Sequence, residues 1–127
     1  MIIITGGAYQ GKKAFAKKRF GIDDKDIASG KEIFDAEALS GYRAVSDYEY
    51  VIRHNLEAGR DAKEEFEKLA SLNNHIIIIA SEVGSGIIPI NESDNRFREE
   101  AGRIMCLASD MSEAGYRVVC GVGVQIK

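Results

Sequence analysis

The sequence predicts a single-domain α/β fold, a parallel sheet flanked by helices. Three observations carry this. Two short runs, "IIIT" at 2–5 and "HIIIIASE" at 75–82, are apolar without polar alternation, as strands covered on both faces are. Stretches of helical periodicity lie between and after them, and strands alternating with helices imply parallel pairing with right-handed crossovers. Glycine clusters follow both runs, at 6–7 and 84–86. They put turns at the carboxyl ends of the strands, the rim where parallel sheets bind ligands.

The elements follow in order. After the strand at 2–5, residues 11–20 read as a helix with Ala14, Phe15 and Ala16 as its apolar contacts. "KDIASG" reads as a second short strand ending at Ser29-Gly30, and "FDAEALSG" as one or two helical turns stopped by Gly41. From about residue 45, Tyr48, Val51, Ile52 and Leu56 recur at helical spacing, and the helix closes near Gly59. A helix at about 61–72 carries Phe66, Leu69 and Ala70. The isoleucine run at 75–82 is the central strand. A turn region, "VGSGIIPINES", follows it. The longest helix, about 93–113, carries Phe97, Ala101, Ile104, Met105, Ala108 and Met111 as one stripe, with Gly115 as its C-cap. "YRVVC" is strand-like, and Gly121 and Gly123 let the chain bend before a terminal strand.

The 127 residues are 45% apolar and 29% charged, ordinary for a soluble domain large enough to bury a core. The net charge of −3 argues against a dedicated nucleic-acid binder. Lys12, Lys13, Lys17, Lys18 and Arg19 cluster early, and all but Lys12 read as a solvated helix face. Cys106 and Cys120 have no metal-site or redox spacing and are expected to be buried and reduced. The opening "MIII" is too short for a signal peptide or a membrane span, so the chain reads as cytoplasmic with no membrane partner.

The chemistry starts after the first strand. Gly6-Gly7-Ala8-Tyr9-Gln10-Gly11-Lys12 fits G-x-x-x-x-G-K between a buried-type strand and a helix. Such a P-loop curls so that successive amides point inward, the helix adds its positive end, and the lysine reaches the β- and γ-phosphates. Lys13 stands where a Ser or Thr hydroxyl would coordinate Mg²⁺, and a protonated lysine has no lone pair for a metal. Three outcomes stay open. Lys13 points into solvent and water completes the metal shell, or it acts as a second cation on the phosphates, or metal-dependent turnover is lost while binding survives. No residue is assigned as a metal ligand. Glu82, just past the isoleucine run, either holds metal water or orients a nucleophile, or it only caps a turn. Arg96, Arg98 and Arg103 lie on the long helix, as phosphate forks or as surface residues paired with Glu99 and Glu100.

"SEVGSGIIPINESDNRFREEAGRI" and the final "CGVGVQIK", together with "TGGAYQGK", resemble the adenosylcobinamide kinase / adenosylcobinamide-phosphate guanylyltransferase family. The likeness covers residues 1–16 and about 74–127, while the middle is shorter than in that family. It implies a RecA-like P-loop fold and a trimer. It also implies two activities. One is phosphorylation of the corrinoid adenosylcobinamide by a nucleoside triphosphate. The other is transfer of a guanylyl group from GTP through a guanylylated histidine. By resemblance, Gly6, Gly11 and Lys12 hold the triphosphate of GTP or ATP, with Mg²⁺ as a candidate companion. Glu82 is the acid near the metal or the acceptor hydroxyl, and Arg98 and Arg103 contact phosphate or a neighbouring subunit. The histidine does not carry over by context. His75 starts the isoleucine run at its amino end and reads as structural, which leaves His54, on the polar side of its helix, as the candidate nucleophile. The alternatives are a catalytically degenerate nucleotide-binding module of the same fold, serving as a sensor or partner, and another small P-loop phosphotransferase.

Overall fold

The computed structural model describes residues 1–82 and 92–127, the side chains of 92 and 93 excepted. The described elements run β1 (Ile2–Gly6), α1 (Lys12–Phe20), a 3₁₀ turn (Asp24–Asp26), β2 (Ile27–Ser29), α2 (Ala36–Leu39), β3 (Ala44–Ser46), α3 (Tyr48–Glu57), α4 (Ala62–Leu72), β4 (Ile77–Ser81), α5 (Glu92–Met111), β5 (Ala114–Val119) and β6 (Val122–Gln125). They form one sheet in the order β2-β3-β4-β1-β5-β6. Its first five strands are parallel, and β6 turns back antiparallel to β5. β4 sits between β1 and β3, the arrangement expected of a RecA-like P-loop fold.

The isoleucine runs are explained by a core on each face. Ile3, Ile76, Ile78 and Ala80 turn toward α2–α5, where Tyr48, Phe66, Leu69 and Ile104 pack. Ile4, Ile77 and Ile79 turn the other way, onto Ala16, Phe15 and Phe20 of α1 and onto Tyr116. Alternate residues of one strand serve the two faces, so neither face tolerates a polar residue. Phe15 and Phe20 both meet the Tyr116 ring, at 5.4 and 5.9 Å between centroids. α1 is thereby seated over β1 and β5.

Several expectations need correction. The helix expected from about 45 begins at Tyr48, because Ala44–Ser46 form β3, a short strand with no alternation of its own to reveal it. Gly115 is not a C-cap. It lies inside β5, opposite Ile3 of β1. Ala14 is exposed, and Met111 is 46% exposed at the end of an otherwise buried stripe on α5. Both cysteines are exposed, not buried: Cys106 lies on the outer side of α5, and Cys120 lies in a turn. The bend before the last strand is made by Cys120 and Gly121, with φ of 49° and 79°, while Gly123 lies within β6. Two consecutive positive φ values are those of a type I′ hairpin turn. The turn region after Glu82 lies outside the described residues. Among the described residues no helix is long and apolar enough to cross a membrane.

Candidate functional site

β1 delivers the chain to the carboxyl rim at Gly6, which is paired across the sheet with Ser81 of β4 and Val118 of β5. Gly6 has φ of 152°, and a Cβ there would lie 2.4 Å from the Val118 carbonyl oxygen. Only glycine passes so close to the neighbouring strand. Residues 7–11 then turn, with positive φ at Tyr9 (59°) and Gly11 (86°), and α1 starts at Lys12 without a side-chain cap. Among the described residues, none of the amides of residues 7–11 donates a hydrogen bond. A turn of undonated amides in front of an uncapped helix end concentrates partial positive charge at one point.

Lys12 is the first residue of α1. Its Nζ donates to the Gly7 carbonyl oxygen at 2.7 Å and to Ser81 Oγ at 3.0 Å, bridging the start of the loop and the end of β4. Ser81 is fixed in turn, its amide donating to Glu49 Oε1 of α3 at 3.1 Å. The loop and β4 therefore meet at the ammonium, with α3 holding Ser81 from behind, and parallel pairing of β1 with β4 is what brings them together.

Glu82 shares this rim. Its amide donates to the Gly6 carbonyl oxygen at 2.9 Å. Its carboxylate accepts from Arg117 Nε at 2.8 Å and Nη2 at 3.3 Å, a forked pair. Hydrogen bonding to Glu82 raises the Arg117 pKa above its ordinary value. Gln10 faces the β5–β6 hairpin: its Oε1 accepts from the Cys120 amide at 2.6 Å, and its carbonyl accepts from the Gly121 amide at 2.8 Å. Ala8 is exposed, and the Tyr9 side chain stands free at the tip of the loop.

Lys13 leaves the loop. Its amine is 3.6 Å from Asp24 Oδ1, on the face of α1 where Lys17 also pairs with Asp24. The hydrogen bond from Lys17 holds the Asp24 carboxyl below its ordinary value. The Lys13 side chain thus points toward Asp24 rather than toward the loop. Arg98 and Arg103 line a different concavity, on α5 facing Asp61 and Lys63 at the start of α4, and no loop residue lines it. Arg103 pairs with Glu100 at 3.8 Å. His54 is half-buried on α3, its ring stacked on Phe34 at 3.8 Å and 9° between planes. His75 is exposed before β4 starts, at the amino end of the sheet.

Ser81, Glu49 and Arg117 are the rim residues that the sequence reading missed. Ser81 is adjacent to Glu82 at the end of the apolar run, and Arg117 is the one charge in "YRVV". Glu49 had no local mark, since only folding brings the first turn of α3 to the end of β4. Among the described residues no group of three or more His, Cys, Asp or Glu side chains is placed to hold a metal ion.

A model of the family described as cobinamide kinase / cobinamide phosphate guanyltransferase matches residues 44–126. The match takes in the middle segment from 44 onward, where little likeness was expected, and lies wholly after the glycine loop. The chain is also 36% identical over 52 residues to the bifunctional adenosylcobalamin biosynthesis protein CobU of Salmonella typhimurium, a stretch covering 41% of this chain and 29% of that protein. With β4, α5 and the terminal hairpin all inside the family match, the chain belongs to the cobinamide kinase / cobinamide phosphate guanyltransferase family.

Proposed function

We propose that the chain is a nucleotide-dependent kinase of the cobinamide pathway type, binding the triphosphate of GTP or ATP in the loop 6–12 and phosphorylating adenosylcobinamide. The observation that carries this reading is the run of undonated amides at 7–11 directly before Lys12, whose Nζ bridges the Gly7 carbonyl oxygen and Ser81 Oγ. In the proposed step the acceptor hydroxyl oxygen bonds to the γ-phosphorus, the bond from γ-phosphorus to the bridging β-phosphate oxygen breaks, the nucleoside diphosphate leaves with that electron pair, and the hydroxyl proton passes to water. The amides hold the phosphate oxygens, and Lys12 neutralises the charge that develops on the transferring group. Glu82, held by the forked contact from Arg117, is the candidate acid near the acceptor hydroxyl.

The residues present do not fit a resident Mg²⁺ in the usual way. The position after Lys12 offers an ammonium paired with Asp24, not a hydroxyl. No step here is therefore routed through the metal. Guanylyl transfer requires a nucleophilic histidine, and His54 is the candidate. Its stacking on Phe34 would have to open for its nitrogen to attack a phosphate. A trimer is part of the same reading, and light scattering would test it.

The deciding experiment has two parts. Titration of GTP and ATP with and without Mg²⁺ is expected to show triphosphate binding that Lys12→Ala weakens. Intact-mass measurement after GTP incubation, repeated with His54→Ala, reads any guanylyl adduct. Tight metal-independent binding with no hydrolysis and no adduct would overturn the enzyme reading in favour of a binding module.

A further inference from the structure

The glycine loop is braced from behind by the last hairpin of the chain. Gln10 gives both of its acceptors to two consecutive amides of the Cys120-Gly121 turn, Oε1 to Cys120 at 2.6 Å and its carbonyl to Gly121 at 2.8 Å. The bracing reaches both ends of the loop. At its start, Gly6 runs against the Val118 carbonyl, 2.4 Å from where a Cβ would stand. At its end, a Cβ on Gly11 would lie 3.3 Å from the Gly121 Cα. Both glycines of the motif therefore meet β5 and its turn. The turn is itself in a conformation with few alternatives, with φ of 49° at Cys120 and 79° at Gly121. Behind it, β6 closes on α1, where a Cβ at Gly123 would enter the Phe15 ring.

From this geometry we infer that Gln10 is a positioning residue, and that the β5–β6 turn is the wall that holds the loop's amides open toward the phosphates. The side chain of Gln10 acts on the hairpin and not on the ligand. Its Oε1 takes the Cys120 amide while the Gln10 backbone carbonyl takes the Gly121 amide, so both outward amides of a type I′ turn are satisfied. This pins the loop's last residues, so the amides of 7–11 face the ligand without reorganising when it arrives. Loop and hairpin are then coupled in both directions: what orders one tightens the other.

The inference rests on the nucleotide reading, and the test separates the two. Gln10→Ala removes the side-chain acceptor, and Gln10→Glu keeps an acceptor oxygen while adding a negative charge. Two measurements are made on each folded protein: amide hydrogen exchange at Cys120 and Gly121 without ligand, and GTP affinity by calorimetry. The expected result is faster exchange at Cys120 in Gln10→Ala, and GTP binding weakened about three- to tenfold, the size of one lost hydrogen bond. Gln10→Glu keeps the acceptor oxygen and is expected to restore slow exchange at Cys120. If Gln10→Glu exchanges at Cys120 as fast as Gln10→Ala does, an acceptor at residue 10 is not what holds the turn, and the inference is overturned. Unchanged exchange at Cys120 in Gln10→Ala would overturn it too. If the wild-type chain binds no GTP, the functional reading falls, while the exchange measurement still decides whether the clasp exists.

Discussion

Replacing Gly6 with alanine tests the loop's foundation directly. The new methyl carbon would stand 2.4 Å from the Val118 carbonyl oxygen, and real Cβ atoms essentially never come within 3.0 Å of such an atom. That oxygen belongs to the backbone of β5, so no side-chain rotation relieves the clash. The φ of 152° adds strain of about 1–3 kcal/mol for a residue with a side chain. Forcing β1 and β5 apart adds about 1–3 kcal/mol more. The midpoint, about 4 kcal/mol, is a large part of the roughly 5–15 kcal/mol that holds a domain folded. At roughly 4 °C per kcal/mol for a chain of this size, the melting temperature falls by about 15 °C. Gly21→Ala is the control. Gly21 also has positive φ, 64°, but a Cβ there meets nothing within 4 Å. Its cost is the left-handed backbone alone, about 1–2 kcal/mol. The assay is thermal unfolding followed by circular dichroism. A Gly6→Ala protein that melts no lower than Gly21→Ala would refute the argument that β5 dictates the first glycine.

Three further outcomes are expected. Lys12→Ala keeps the fold and weakens GTP binding about 10- to 150-fold, the range of one charge-assisted hydrogen bond, and calorimetry showing a change under threefold would remove Lys12 from the site. Lys13→Ser supplies the hydroxyl that the loop lacks and raises Mg²⁺-dependent phosphoryl transfer; a fall in rate would show that the loss-of-ligand idea is wrong. Asp24→Asn reports on pH: the hydrogen bond from Lys17 lowers the Asp24 pKa from 3.8, so its stabilisation is present above that value and is lost as pH falls below it. Wild type should therefore lose slightly more stability than Asp24→Asn between about pH 4 and pH 2, with parallel curves above pH 5. Divergence at neutral pH would contradict the assignment.

Much of this architecture was legible from residue order alone. Unbroken isoleucines can only be a strand with both faces covered, and the two cores on either side of β1 and β4 bear that out. The loop was legible because a glycine-bounded turn between such a strand and a helix has few other uses. β3 was not legible, since three residues carry no period and Ala44–Ser46 are buried by what surrounds them. The cysteines misled because small apolar residues are usually inside, whereas Cys120 is held in a tight turn by the loop it faces.

Local patterning, then, determined which segments are strands, which helix follows the loop, and that an ammonium stands at residue 12. It acts over a few residues, through backbone sterics and the burial of adjacent side chains. Tertiary structure decided the company that ammonium keeps. Ser81 comes to it from β4 and is held by Glu49 of α3, Arg117 grips Glu82 from β5, and Gln10 is turned to the last hairpin. Those partners lie 32 to 110 residues apart along the chain, and no local pattern encodes a contact that only strand order creates.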